Sequence, residues 1–383
     1  MENNLKIMFL DTRPVRRGAQ VFVHELKNQY QQHGITVSRI FLYEENVFQC
    51  LPLNTSDSVL PFRDNHIFEK ILSFQPALLF ELIKKIRSQN PDIILCNGSR
   101  TLKYAALVKR LSGNLKAKFV YRVIDSAVYW NKRSMSRFFY RSWVIPAMDA
   151  AVGVSKKSLS EMIRHYAFNK PAISIPRAVD IRFFSDFSPT VDLRKQWGIP
   201  ENAFVVLFLG NFTKQKRPDC FIEIIEKVRL HHPQIHGLMV GDGPLKNEIL
   251  DFCKLKGIEQ KVTFAGYQQD VRPFISMCDI LMLTSDTEGM PGVVLEAAAM
   301  SKTTISSDVG GITEFLKHRE NGLVLNGGAS VHEFSCHLID LMQNTNDLKK
   351  MALKSQNSVV AGYSLDDIAL RYIDFFRSIL EKK

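Results

Sequence analysis

Cysteine is scarce in this chain. The six present among 383 residues, Cys50, Cys96, Cys220, Cys253, Cys278 and Cys336, form no C-x-x-C pair and have no clustered histidines beside them. That excludes a disulfide framework and a zinc site of ordinary spacing, and it places the chain by default in a reducing cytosol. No segment reaches the ~18 apolar residues needed to span a bilayer. The opening MENNLKIMFLD lacks a basic stretch followed by an apolar one, so it reads as a first strand rather than a signal peptide. No G-x-G-x-x-G occurs, so the dinucleotide-binding fingerprint is missing. No Asp-x-Asp occurs either, and there is no internal repeat and no low-complexity tract.

What is present is a two-domain length with an uneven charge. At 383 residues the chain exceeds what one hydrophobic core usually holds. Hydrophobic residues make up 45% and charged residues 23%, the balance of a globular protein. Residues 1–190 carry 28 Lys+Arg against 15 Asp+Glu, whereas the remainder is slightly acidic within an overall +11. Such an asymmetry speaks of an anionic partner for the first half.

Short apolar runs alternate with amphipathic stretches, the pattern of βα units and parallel sheets. Strands are predicted at 6–10, 37–43, 92–96, 119–124, 150–154 and 172–175, and then at 205–209, 237–240, 262–264, 280–283 and 304–306. Helices fall between them, for example at 19–32, 78–88, 101–111 and 156–165, and later at 218–231, 245–256 and 293–300. The polar stretch 181–202, with Pro189 and Pro200, breaks this rhythm and reads as a linker. The expected fold is α/β, with two doubly wound Rossmann-like domains facing a central cleft. They would comprise a first domain over 1–180 and a second over 203–363. Residues 364–383 would form a final helix returning toward the first domain.

Four strand-to-helix turns could bear chemistry. In Glu288-Gly-Met-Pro-Gly-Val-Val-Leu-Glu296 a helix starts near Val293, and its first backbone N–H groups have no intrahelical partner. That is a seat for a diphosphate, flanked by two carboxylates that can grip hydroxyl groups. Spacing alone fits a surface loop equally well. Gly210-Asn-Phe-Thr-Lys-Gln-Lys-Arg217 gathers Lys214, Lys216 and Arg217, which can neutralise a phosphate or simply be a solvated basic turn. Val240-Gly-Asp-Gly-Pro244 allows close backbone approach and is also an ordinary turn, as is Arg16-Arg-Gly-Ala-Gln20 around Gly18.

Taken together and in order, these words resemble those of the retaining, GT-B-fold glycosyltransferases of family 4, the glycosyl transferases group 1. The match runs through 210–216, Val240-Gly-Asp-Gly-Pro244, Phe264-Ala-Gly266, Asp270-Val271, Cys278-Asp279-Ile280, 284–296 and Asp308-Val-Gly-Gly-Ile-Thr-Glu314. The first half matches more loosely, at Gly18-Ala-Gln20, Val154-Ser155, Ile175-Pro176 and Val179-Asp180. The resemblance implies a nucleotide-diphosphate sugar as donor, UDP- or GDP-linked, transferred with retention and with neither an obligatory metal nor a further cofactor. It implies that Lys216, with Arg217, binds the diphosphate and that Glu288 contacts the sugar near Met290, Pro291 and Gly292. Glu296 would hold the ribose, the amides of Val294 and Leu295 the distal phosphate, and Gly18 would approach the donor from the first domain. Glu288 and Lys216 are the catalytic candidates.

Two positions depart from the pattern. Asn211 stands where the family commonly has Arg, and Ile124 stands where it tends to have His, with Asp125 beside it. The sugar or its contacts are therefore expected to differ from those of the commonest members.

Between Arg100 and Met148 there are eleven Lys+Arg and one acid, Asp125. A helix over 132–145 would set Met135, Phe138, Phe139 and Ser142 on one side and Arg133, Arg137 and Arg141 on a neighbouring one. This pattern suits an anionic membrane surface and equally a core-packed helix with a solvated basic rim. Nucleic acid is not expected, because no reader module is evident. The expected acceptor is a saccharide or a lipid-linked sugar, as in the building of a cell-surface polysaccharide or glycolipid. The expected location is the cytoplasm, including the inner face of the membrane. A nucleotide-sugar epimerase and a catalytically silent nucleotide-sugar-binding subunit are the competing readings.

Overall fold

The computed structural model describes residues 5–45, 50–64, 74–113, 115–131 and 134–381. The chain divides into two compact units, residues 1–177 with 365–383, and residues 178–364.

The first unit is built on a seven-stranded sheet of order β3-β2-β1-β4-β5-β6-β7, parallel throughout. Its strands are β1 (Lys6–Asp11), β2 (Thr36–Phe41), β3 (Asp57–Val59), β4 (Ile93–Asn97), β5 (Lys118–Val123), β6 (Ala150–Gly153) and β7 (Ala172–Ser174). Beyond the exposed Lys6, every residue of β1 is buried, as is the whole of β4, because helices cover both faces of a parallel sheet. The helix Lys156–Tyr166 starts at Ser155, whose hydroxyl accepts from the amide of Ser158 at 3.1 Å. The helix Leu365–Glu381 joins this unit. It buries Ile368, Tyr372, Ile373, Phe376 and Ile379, a spacing of about one helical turn, and Tyr372 lies 6.3 Å from Phe22 of the helix Gly18–Gln32.

The short edge strand β3 was not expected from its polar sequence, and an internal ion cluster explains it. Asp57 receives the Lys27 ammonium at 2.5 Å and the Arg39 guanidinium at 3.0 Å, all three side chains being essentially buried. Burial of such charges is tolerated only when they are paired.

The second unit carries six parallel strands in the order β10-β9-β8-β11-β12-β13. They are β8 (Phe204–Leu209), β9 (Ile235–Val240), β10 (Val262–Gly266), β11 (Ile280–Leu283), β12 (Thr303–Ser307) and β13 (Leu323–Leu325). Residues 181–202, read as a linker, instead form the short helices Ile181–Ser185 and Leu193–Gln196. Phe184 and Ile199 are core residues of this unit, with Trp197 packed against them. Arg194 fixes the segment by reaching the carbonyls of Glu201, Ala203 and Met277.

Both sheets reverse winding direction once, between β1 and β4 in the first and between β8 and β11 in the second. Ligands of doubly wound folds bind beyond the carboxyl ends of the strands at such points. Among the described residues no helix is long and apolar enough to cross a membrane.

Candidate active site

In the second unit the chain leaves β8 at Gly210 and β11 at Thr284, side by side. After β8 comes a tight turn, Lys214–Lys216, closed by Arg217 in the left-handed region at φ 49°. A non-glycine residue there is strained and needs support. Thr284 supplies it, its hydroxyl donating toward the carbonyls of Lys216 and Arg217, each at 2.9 Å. The two loops are further tied by Gln215, whose amide donates to the carbonyl of Thr287 at 2.7 Å and whose carbonyl accepts from the amide of Asp286 at 2.9 Å.

This lacing brings Lys216 to Glu288. The ammonium pairs with one carboxylate oxygen of Glu288, and the Ser285 hydroxyl donates to the same oxygen at 2.7 Å. Glu288 is only 8% exposed. A carboxylate so enclosed is held by its partners rather than by water, so its position is set before any ligand arrives. The backbone of Glu288 is fixed from behind by Gly310, whose φ is 56° and where a Cβ would overlap the Glu288 carbonyl. Only glycine fits there.

Beyond Glu288 the helix Gly292–Ala299 begins at Pro291 with no side-chain cap. Its entrance therefore presents backbone N–H groups at the positive end of a helix dipole. The amide of Val294 contacts the Pro291 carbonyl at 3.2 Å. The side chains of Val294 and Leu295 are core residues, so they anchor the helix while their backbone lies at its first turn. Met290 and Pro291 are buried, Glu296 half-buried. On the other side of β8, Gly241 comes after β9 at φ 141°, where a Cβ would overlap the Gly210 carbonyl. Backbone alone thus floors the crevice. Asn211 and Lys214 are exposed at its rim, and Arg217 pairs loosely with Asp286 at 3.8 Å.

Lys216, Arg217, Glu288, Met290, Pro291, Gly292, Val294, Leu295 and Glu296 therefore share one end of one sheet. Gly18 belongs to the first unit, where it opens the helix Gly18–Gln32 beneath the Arg177 guanidinium. Thr284, Ser285 and Gly310 were missed as individuals, though each stands inside or beside a matched motif. Their roles as loop ties depend on which loops become neighbours, which no spacing encodes.

The first unit holds the remaining candidates. At its own switch point Asp11 and Asn97, the last residues of β1 and β4, meet at 2.5 Å, and Asn97 accepts from the Arg122 guanidinium at 2.9 Å. Arg122 also reaches the Tyr372 hydroxyl at 3.2 Å and lies over the Phe22 ring. Burial pushes the Asp11 carboxyl up to about 7, against the pull of Asn97, Arg39 and Arg122. No sequence signal marked this cluster.

Asp125 and Ile124 line a cavity of about 250 Å3 with Tyr121, Tyr140 and Tyr166. Arg137 and Arg141 line a second, of about 470 Å3. Arg133 lies outside the described residues. The expected single helix over 132–145 is in fact the helix Ser134–Phe139 running into a π-helical turn, Tyr140–Val144. Its apolar side is not core-packed, since Met135 is 81% and Phe138 68% exposed.

Similarity to known proteins extends over both units. The profile described as "Glycosyl transferases group 1" matches residues 190–358, and that of "Glycosyltransferase Family 4" matches residues 16–183. The N-acetyl-alpha-D-glucosaminyl L-malate synthase of Bacillus anthracis is 27% identical over 340 residues, 84% of this chain and 88% of that protein. A lipopolysaccharide core biosynthesis glycosyltransferase of Rhizobium meliloti is 27% identical over 52% of this chain and 58% of its own. The Escherichia coli UDP-Gal:alpha-D-GlcNAc-diphosphoundecaprenol alpha-1,3-galactosyltransferase is 24% identical over 77% and 79%. Among solved structures, Anabaena HepE in complex with UDP-glucose superposes with a TM-score of 0.81 at 18% identity, over 98% of this chain and 100% of that one. WaaG, a glycosyltransferase involved in lipopolysaccharide biosynthesis, superposes at 0.74 and 15%, over 97% and 99%. These likenesses show the GT-B fold.

Proposed function

The chain belongs to the family 4, group 1 glycosyltransferases, and from that membership we propose that it moves a hexosyl group from a nucleotide-diphosphate sugar to an acceptor hydroxyl with retention of configuration and without a metal. The observation that carries this reading is Glu288, gripped on one oxygen by Lys216 and Ser285 beside an uncapped helix entrance at the switch point.

The donor diphosphate would lie across the entrance of the helix Gly292–Ala299, with the amides at its first turn and the Lys216 ammonium as counter-charge. Glu296 would take the ribose hydroxyls and Glu288 the sugar hydroxyls. The bond from the anomeric carbon to the diphosphate oxygen breaks, the acceptor oxygen takes its place on the same face, and the hydroxyl proton leaves with the diphosphate. Lys216 stabilises the charge that grows on that leaving group, and Arg217 adds to the local positive field. The donor is read as a UDP- or GDP-sugar, with no further cofactor.

The acceptor is read as a sugar presented at a membrane surface, in polysaccharide or glycolipid assembly. The exposed Met135 and Phe138 beside Arg137 and Arg141 support peripheral attachment to anionic lipid.

A thermal-shift screen of UDP- and GDP-sugars identifies the donor, because a tight ligand raises the melting temperature by mass action. With that donor, nucleoside diphosphate should be released only when acceptor is added. Conversion of the donor to another sugar without acceptor would instead establish an epimerase, and tight donor binding with no turnover a silent subunit. Co-sedimentation with anionic vesicles at low salt tests the membrane arm, and no binding there sinks it.

A further inference from the structure

Lys216 and Glu288 would serve different parts of a nucleotide sugar, the cation its diphosphate and the carboxylate its sugar hydroxyls. The structure pairs them with each other. A diphosphate that draws the ammonium must therefore compete with Glu288 for it.

The two partners are not equally free to move. The Glu288 carbonyl packs against Gly310, and the next carbonyl, that of Gly289, accepts from the amide of Gly311 at 2.7 Å. The Glu288 side chain is 10% exposed, and the Ser285 hydroxyl holds, at 2.7 Å, the same oxygen that Lys216 reaches. Lys216 is fixed through its backbone, whose amide donates to the Thr213 carbonyl at 3.0 Å and whose carbonyl accepts from Thr284 at 2.9 Å. Its side chain is 23% exposed, and its stem runs past Gly210, where even an added Cβ would stand 3.9 Å from Cε. A lysine stem is flexible and its ammonium has rotatable donors. The ammonium is thus the mobile member of the pair and the carboxylate the fixed one.

Separation leaves the partners unequally provided for. Lys216 at a diphosphate meets negative charge again. Glu288 is 8% exposed, and an enclosed carboxylate that loses its cation needs other donors. Ser285 stays on Oε1. Among the described residues nothing donates to Oε2, so that oxygen can accept from a sugar hydroxyl. A nucleotide sugar supplies both replacements at once, negative charge for Lys216 and an O–H donor for Glu288. A nucleoside diphosphate supplies only the first and leaves Glu288 with Ser285 alone. Donor and spent product differ in this respect, because transfer removes the sugar and leaves the diphosphate.

We propose that the Lys216–Glu288 pair discriminates donor from product: it opens for a nucleotide sugar and stays closed against a nucleoside diphosphate, with Ser285 as the positioning residue that holds Glu288 while Lys216 moves. This rests on the glycosyltransferase reading and adds to it a means of releasing the product. Once the sugar has left, Glu288 draws Lys216 back from the diphosphate.

Isothermal titration of the full chain with UDP-glucose, UDP-galactose, UDP-N-acetylglucosamine and GDP-mannose, and with UDP and GDP, tests this. Wild type should bind one nucleotide sugar at least about tenfold more tightly than its nucleoside diphosphate. E288Q keeps the shape of the side chain and removes the charge that holds Lys216. It should bind that nucleoside diphosphate about tenfold more tightly than wild type does, and its preference for the nucleotide sugar should shrink to about threefold or less. S285A should weaken the nucleotide sugar by about tenfold and leave the nucleoside diphosphate within about threefold of wild type. S285T, which keeps the hydroxyl, should restore the nucleotide sugar. Far-UV circular dichroism should be the same for all four proteins. No tightening of the nucleoside diphosphate in E288Q, an undiminished preference in E288Q, or equal weakening of both ligands in S285A would overturn the proposal. If wild type binds no nucleotide sugar, the transferase reading falls together with it. If wild type prefers a nucleotide sugar and E288Q does not tighten the nucleoside diphosphate, the transferase reading stands and only discrimination by this pair is lost.

Discussion

At the first switch point the polar side chains leaving β1 and β4 turn inward, so that Asp11, Asn97 and Arg122 are all at most 2% exposed. At the second, Lys216 keeps 23% of its side chain accessible and Glu288 10%. The topology is the same, yet one crevice is closed with a hydrogen-bonded network and the other is left with a pair that a ligand can enter. The difference arises where the chain leaves the strand. After β11 the chain runs Gly289, Pro291 and Gly292 into an uncapped helix, whereas Arg122 of β5 reaches across to a tyrosine of the last helix and fills the first crevice. A switch point is thus an opportunity for a ligand, and the side chains on its strands decide whether it is used.

The largest expected effect that would break this comparison is at Arg122. Arg122→Ala leaves Asn97 and Tyr372 without their buried partner and should lower stability by about 3–5 kcal/mol in denaturant unfolding. A loss below about 1 kcal/mol would mean that the first crevice is not sealed by this network. Next is Asp11→Asn, read against pH. The folded carboxyl titrates near 7, above its ordinary 3.8. Between those values the folded chain binds more protons than the unfolded one, so wild-type stability falls as pH rises from 4 to 7, by at most about 4 kcal/mol. Asp11→Asn should flatten that decline, and parallel melting-temperature profiles of the two proteins would refute it.

At the second crevice the balance should invert, with activity lost and stability kept. Lys216→Ala is expected to lower kcat/KM by about 100-fold, roughly 3 kcal/mol, with little change in melting temperature because the side chain is partly exposed. Full activity in this variant would remove Lys216 from the donor site. Gly310→Ala should cost about 1–3 kcal/mol and displace Glu288, visible as weaker donor binding. The smallest effect belongs to M135S/F138S. Stability should stay within about 0.5 kcal/mol of wild type, since neither side chain is packed, while vesicle binding weakens.

Much of the fold could be read because parallel strands are continuous apolar runs. All eleven predicted strands are present within one or two residues of their expected ends. The two that were missed are three-residue edge strands, β3 and β13, too short to carry a period. The segment 181–202 reads as a linker because its prolines and charges are local, while the burial of Phe184 and Ile199 is a tertiary fact. The basic excess of the first half was real as a count and overstated as a surface, since Lys27, Arg39 and Arg122 are buried among partners. The matched motifs brought Lys216 and Glu288 into view. They could not show that Ser285 and Thr284 hold them, because those ties cross between loops.

The return of the helix Leu365–Glu381 to the first unit also sets an order of assembly. Residues 178–364 form one uninterrupted unit, whereas the first remains without Tyr372, and so with Arg122 half-partnered, until residues 365–381 have been made. At about 5–20 residues per second, synthesis of the intervening chain takes roughly ten to forty seconds. During translation the later unit can therefore be complete while the earlier one still waits, exposing on the helix Gly18–Gln32 the face that the last helix will cover.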